Sequence, residues 1–152
     1  MMQIRTAVLD DLKTLLAFEQ GIMSTERTFD PTIKDTPTNY YDLADLITSP
    51  VAEVAVVEDN GEIIASGYAL IKEAKPFLKH TRYVHLGFMF VKPAYRGNGV
   101  NKLVLEHLKA WAKSNSITEM RLEVYQENVN ALKAYEKFGF SPLLLEMRME
   151  IK

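Results

Sequence analysis

Val91-Lys92-Pro93-Ala94-Tyr95-Arg96-Gly97-Asn98-Gly99-Val100-Asn101-Lys102 is the stretch on which the reading of this chain turns. Before it, Arg82 to Val91 is a long β run. After it, Val100, Leu103, Val104, Leu108 and Trp111 recur at helical spacing from about Gly99 to Lys113. The stretch therefore joins a strand to the first turn of a helix. A helix start carries unpaired N–H groups and a partial positive charge, which favour an anion. Gly97 and Gly99 remove side chains that would hold a ligand off the backbone, and they permit the dihedrals of an anion nest. Arg96 and Lys102 add charge at the same point. The alternative is a tight strand–helix connection with no ligand. Other phosphate motifs are missing: there is no G-x-x-x-x-G-K-[ST], and Arg96-Gly97-Asn98-Gly99 does not extend to G-x-G-x-x-G. A mononucleotide kinase and a Rossmann dehydrogenase are disfavoured accordingly.

Outward from this turn the chain alternates strand and helix patterns. Ile4 to Val8 reads as a first strand. A helix capped by Asp10 follows to about Gln20, with Gly21 as its stop. Residues 21–38, rich in Thr, Asp and Pro, read mostly as loop, and Asn39 to Ile47 as a second helix. Glu53 to Glu58 and Glu62 to Ile71 are apolar runs split by Asp59-Asn60-Gly61, a hairpin signal because a type I′ turn needs two residues at positive φ. Beyond the central helix, Met120 to Tyr125 reads as a strand, Val129 to Phe138 as a helix stopped by Gly139, and Leu143 to Ile151 as a final strand. The predicted order is βααβββαβαβ, an α/β (α+β) mixed sheet with helices on its faces, in one domain over residues 1–152.

Composition sets the outer bounds. The chain has 152 residues, 47% hydrophobic and 25% charged, as in an ordinary globular protein. Eighteen Lys and Arg against twenty Asp and Glu give a net charge of -2, so no global basic field points to nucleic acid. Cysteine is absent, which removes a disulfide framework, a thiolate metal site and a cysteine nucleophile. His80, His85 and His107 are not at metal-ligand spacing, so no metal is expected. No apolar run approaches the roughly 20 residues that span a bilayer; no membrane association and a cytoplasmic location are the default expectations.

Two motifs together carry a family resemblance. Val91-x-Pro93-x-Tyr95-Arg96-Gly97-x-Gly99-Val100 resembles the acetyl-CoA pyrophosphate loop of the GNAT superfamily of N-acetyltransferases. Asn101 stands where that family usually has Gly or Ala. Further on, Leu122-Glu123-Val124, Asn128, Ala131, Tyr135 and Gly139-Phe140 resemble the second signature, L-x-V-x-x-x-N-x-x-A-x-x-x-Y-x-x-x-G-F. The resemblance implies the GNAT fold and transfer of an acetyl group from acetyl-CoA to a small-molecule or peptide amine, by direct attack in a ternary complex. It also implies a homodimer as one assembly. The alternative is a non-catalytic acyl-CoA-binding or regulatory module on the same fold.

The resemblance also distributes roles. Tyr135 matches the general acid that returns a proton to the leaving thiolate, and a phenol of pKa about 10 keeps that proton at neutral pH. Packing in the core is its plain alternative. Asn128 is both the N-cap of the last helix and a cofactor contact. Met89, Phe90 and Val91 are expected to meet the pantetheine arm through their backbone, in a strand that diverges from its neighbour. The phosphates fall to Arg96, Gly97, Asn98, Gly99, Val100, Asn101 and Lys102, with Lys133 and Lys137 assisting. Glu123 and His85 are the two candidates for the base. Tyr40, Tyr41, Glu26 and Phe29 fall in the region that covers the amine in relatives. A base matters most for a lysine-like amine, which costs about 4.6 kcal/mol to deprotonate at pH 7 against about 1 kcal/mol for an α-amine.

Overall fold

The computed structural model describes all 152 residues. Five strands form one sheet in the order β1 (Met2–Thr6), β2 (Ala52–Asp59), β3 (Glu62–Glu73), β4 (Arg82–Val91) and β5 (Met120–Leu122). The first four run antiparallel to their neighbours and β5 is parallel to β4. Four helices complete the chain: α1 (Leu12–Glu26), α2 (Leu43–Thr48), α3 (Val100–Ser114) and α4 (Val129–Phe138). The β2–β3 hairpin turns at Asn60 and Gly61, both at positive φ (53° and 82°), as the Asn-Gly pair requires.

The sheet is buried on both faces, which is why β2 reads as an unbroken apolar run rather than an alternating one. On one face Ala55, Val57, Ala65, Ala69, Val84 and Leu86 pack under Val100, Val104, Leu105 and Leu108 of α3. On the other, Val54, Val56, Tyr68 and Phe88 pack under Leu15 and Phe18 of α1 and Leu43 and Leu46 of α2. Within β4 the allegiance switches. Val84 and Leu86 belong to the α3 face, whereas Phe88, which strict alternation would place with them, belongs to the α1 face. The cause is a bulge. The β3–β4 register shifts between Ser66 and Tyr68, and Phe88 sits at φ 58°.

Five expectations need correction; one is the strand expected over Met120 to Tyr125, which ends at Leu122. The α1 helix does not stop at Gly21 but continues to Glu26. Phe18, Ile22 and Met23 keep the apolar stripe going, and a Cβ at Gly21 would lie 2.9 Å from the Phe90 ring, so this glycine marks close approach of helix to sheet. The turn into α1 is held by Asp11 and not Asp10: Val8 N–H donates to Asp11 at 2.8 Å, and Arg5 grips the same carboxylate through both terminal nitrogens. The second helix begins at Leu43, behind Asp42, whose carboxylate accepts from Asp45 N–H, instead of at Asn39. Finally, Leu143 to Ile151 is not a strand here. It leaves α4 as an exposed arm, neither helix nor strand, without a hydrogen bond to the rest of the chain.

Candidate active site

β5 ends at Leu122, opposite Leu86, while β4 runs on for five more residues to Val91. Past that point the two strands part, and the edge of β4 facing β5 loses its partners. A cavity of about 1000 Å³ opens between them, lined on one side by Gly87 to Val91 and on the other by Leu122 to Tyr125. The bulge at Phe88 contributes by turning β4 just where pairing ends. Gly87 is required beside it, because the Tyr68 ring lies over the position of its missing Cβ, at 2.6 Å.

One end of the cavity is the glycine turn. Gly97 and Gly99 stand at φ 81° and 77°, and no atom lies within 4 Å of either missing Cβ. Gly99 is the N-cap of α3 and offers no side chain, so the N–H groups of Val100, Asn101 and Lys102 are uncapped and point toward open space. Leu103 N–H makes the first bond back, to Gly99 C=O. Asn101 sits inside this first turn with ordinary helical φ, not in the left-handed region. The loop is braced from behind: Tyr95 donates to Asp59 at 3.0 Å, and Arg96 donates through Nε to Val91 C=O at 2.9 Å with its guanidinium over the Phe90 ring.

At the other end stand the candidate chemical groups. Tyr135 lines the cavity from α4, its ring edge-on to Phe140, and burial pushes its phenol up to about 12, with the charge of Glu26 adding to the shift. It is therefore both a packing residue and a protonated donor at neutral pH. Asn128 caps α4, its side chain accepting from Ala131 N–H at 3.3 Å, and it also faces the cavity. Glu123 lines the cavity with an exposed carboxylate that no protein group hydrogen-bonds.

His85 does not line the cavity. It lies behind, half-buried on β4 between Leu70 and Arg121, 6.2 Å from the Tyr68 ring. Burial and then Lys72 lower its pKa, with Glu123 pulling the other way. Asn98 is likewise outside: it is exposed and donates to Tyr95 C=O at 3.4 Å. The cavity gathers Met89, Phe90, Val91, Arg96, Gly97, Gly99, Val100, Asn101, Lys102, Glu123, Asn128 and Tyr135 of the expected set, and Lys137 with them. Lys133 is on the exposed side of α4.

The remaining wall comes from the α1 extension that the glycine concealed, through Ile22, Thr25 and Glu26, and from Phe29 and Tyr41. Burial raises the Glu26 carboxyl above its ordinary value, the Tyr40 hydroxyl opposes that shift, and Asp30 adds to it. Asp30 accepts from Tyr125 at 2.9 Å. Tyr41 is fixed twice: its backbone N–H and that of Tyr40 both donate to the fully buried Glu19 at 2.8 Å, and its hydroxyl accepts from Phe88 N–H at 3.3 Å. From the sequence, Glu19 reads as a helix position and, with Glu26, Asp30 and Asp35, as an acid able to attract a cationic amine; the structure instead buries it fully, as a backbone acceptor. The sign it carried was an acid on the apolar stripe of a helix, where a buried charge needs partners.

No group of three or more His, Cys, Asp or Glu side chains is arranged to hold a metal ion, and no helix is long and apolar enough to cross a membrane. Comparison with known proteins agrees with the geometry. Residues 20–140 match the model of the Acetyltransferase (GNAT) family. An uncharacterized N-acetyltransferase, YobR, of Bacillus subtilis (strain 168) is 39% identical over 61 residues, spanning 40% of this chain but only 25% of that relative. A mutant of the BH1408 protein from Bacillus halodurans superposes with a TM-score of 0.89 at 17% identity, covering 99% of both chains. A predicted acetyltransferase from Clostridium acetobutylicum, solved with acetyl-CoA, gives 0.73 at 23% identity over 97% of this chain and 96% of its own. Glucosamine-6-phosphate N-acetyltransferase from Arabidopsis thaliana gives 0.72 at 21%, over 100% and 99%. A glycine-opened helix start, a splayed pair of strands and a matching model over most of the chain lead to one assignment: the protein is a member of the GNAT acetyltransferase family.

Proposed function

We propose that the protein is an acetyl-CoA-dependent N-acetyltransferase that modifies a primary amine, of a small molecule or a peptide, by direct attack in a ternary complex. The observation that carries this reading is the single cavity running from the uncapped start of α3, along the unpaired edge of β4, to Glu123 and Tyr135. Diphosphate at the glycine turn aligns the pantetheine arm with β4, whose free backbone groups extend the sheet to it. The thioester then lies where the strands part. Backbone N–H groups beside the bulge are suited to hold the developing oxyanion.

Glu123 is the proposed base because its carboxylate is free and faces the cavity; His85, set behind it, is the less direct choice. Glu123 takes one proton from the ammonium and passes it to solvent; the neutral nitrogen bonds to the carbonyl carbon and gives up a second proton, to Glu123 again, as the tetrahedral intermediate collapses to the amide. As the carbon–sulfur bond breaks, the Tyr135 hydroxyl gives its proton to the thiolate and regains one from solvent. Glu26 on the α1 wall and Asp30, bonded to Tyr125, place further negative charge near Glu123 and Tyr135, which supports a cationic acceptor. Release of free thiol from acetyl-CoA across a panel of amines tests the proposal. Amine-dependent release that Tyr135→Phe suppresses is expected. Binding of acetyl-CoA without turnover on any amine would indicate a binding module instead.

A further inference from the structure

The bulge in β4 shows in the direction of its backbone N–H groups. Ahead of it, Val84 N–H donates toward β5, to Glu119 C=O at 3.0 Å; beyond it, Lys92 N–H donates toward β3, to Ile64 C=O at 2.8 Å. In an unbroken strand, residues an even number apart donate to the same edge, so the bulge exchanges the two edges. Past it, Met89 and Val91 have the parity that turns N–H groups to the side β5 has left. Phe88, at the bulge, has no partner residue in either neighbouring strand. Its N–H donates to the Tyr41 hydroxyl at 3.3 Å.

Tyr41 reaches this point from the connection between α1 and α2, and it lines the cavity. A phenol that accepts one N–H still has its own proton to donate. No group of the chain takes that proton: the Tyr41 oxygen only accepts. Burial first, then Tyr68, push the phenol above its ordinary value while the Phe88 N–H opposes the shift, so the proton stays in place at neutral pH. The side chain is held independently of any ligand. Its backbone N–H is tied to the fully buried Glu19, and its ring meets those of Tyr68 and Phe88 edge-on at 5.4 and 5.7 Å. A donor fixed in this way needs no reorganisation when charge develops beside it, and the N–H behind it polarises the O–H.

We propose that Tyr41 is a catalytic residue of the acyl site: its hydroxyl donates to the thioester carbonyl oxygen and holds the oxyanion that forms when the amine adds. The assignment rests on the reading that the thioester lies where β4 and β5 part. The last pair of those strands is Leu86 with Leu122, and Phe88 is two residues further on, so a hydroxyl bonded to Phe88 N–H stands at that fork. The place along the edge where a backbone N–H would meet the carbonyl is taken by an O–H set in front of it. Tyr41 keeps its proton throughout, and the thiolate is served by Tyr135 from α4. The two phenols divide the step: Tyr41 stabilises charge on oxygen, and Tyr135 returns a proton to sulfur.

Tyr41→Phe removes the O–H and leaves the ring. Acetyl transfer by the variant is expected to lose about 10²–10³ in kcat, as on removal of one oxyanion donor, with coenzyme A affinity unchanged. A readout that packing alone would not move is the carbonyl stretch of a bound ketone analogue of acetyl-CoA, with methylene in place of sulfur and an isotope label at the carbonyl carbon. Infrared difference spectra should place that stretch at lower frequency on the wild type than on Tyr41→Phe, because a donated O–H weakens the C=O bond. Tyr135→Phe, which acts on the leaving group, should keep the wild-type frequency. Absence of thiol release from the wild type with every amine overturns the enzymatic reading and this role with it. Wild-type turnover with either kcat or the carbonyl frequency unchanged in Tyr41→Phe overturns the role of Tyr41 alone.

Discussion

Replacing Gly99 by valine separates the backbone role of the glycine turn from its role toward a ligand. Gly99 stands at φ 77°, where an L-residue with a side chain costs about 1–2 kcal/mol. No atom beyond Gly99 and its chain neighbours lies within 4 Å of the added Cβ, so backbone strain is the main cost to the protein without ligand. For a chain of 152 residues each kcal/mol moves the melting point by about 2–4 °C, and a fall of roughly 2–8 °C is expected. The space that is empty without ligand is the space a diphosphate must enter to reach the N–H groups of Val100, Asn101 and Lys102. A hydrogen bond to a charged group contributes about 1.5–3 kcal/mol, so losing even one weakens coenzyme A about 10- to 100-fold. Calorimetric titration with coenzyme A, alongside thermal melts of the free protein, measures both effects. A variant that melts lower yet binds coenzyme A as the wild type does would refute the placement of the diphosphate at this helix start.

Three further outcomes follow from the same geometry. Tyr135→Phe should lower kcat by about 10²–10⁴ with coenzyme A affinity unchanged, as expected for a general acid; because the phenol is pushed up to about 12, it should impose no alkaline fall in kcat near neutral pH. Glu123→Gln should slow acetylation of lysine-like amines more than of α-amines, in line with deprotonation costs of about 4.6 and about 1 kcal/mol at pH 7; an equal loss on both classes in steady-state assays would remove Glu123 as the base. Stability should fall on the acid side. Burial works to raise the Glu53 carboxyl, but hydrogen bonds from His107 and Thr6 outweigh it and hold it low, and Arg5 holds Asp11 low. Carboxyls depressed in the folded state stabilise it above their unfolded values of 4.5 and 3.8, and that contribution is lost as pH drops through the folded ones. Denaturation midpoints measured from pH 6 downward should decline below about 4.5, and less steeply in Glu53→Gln.

What the sequence disclosed was what local chemistry decides. The Asn60-Gly61 turn, the positive-φ glycines before α3 and the Asn128 cap each depend on a few adjacent residues, and each stands where the pattern put it. Gly21 misled because glycine stops a helix in isolation, whereas here packing against Phe90 makes the absence of a Cβ an advantage inside one. That reading also hid the Ile22–Glu26 wall of the cavity. Glu19 was illegible for a related reason: its partners, the N–H groups of Tyr40 and Tyr41, lie some twenty residues away. His85 and Glu123 were inseparable by spacing alone, since only the bulge and the end of β5 decide which of them faces the cavity.

That bulge links the core to the site. Without it, side chains of β4 would keep one parity, and Phe88 would join Val84 and Leu86 under α3, leaving the pocket among Leu15, Phe18, Leu43 and Tyr68 unfilled. With it, Phe88 fills that pocket and Phe90 follows onto the same face, where it meets Phe18 at 4.5 Å and accepts Gly21 of α1. Met89 and Val91 turn to the α3 face instead. The apolar gain is what holds a non-glycine residue at φ 58°. The same reversal leads β4 away from β5 and leaves its edge unpaired beside the start of α3. Packing on the α1 face therefore maintains the open strand edge, so a truncation such as Phe88→Ala should disturb coenzyme A binding although its side chain is packed into the α1-face core. Loss of stability with the binding affinity of the folded fraction intact would show that the edge stays open without it.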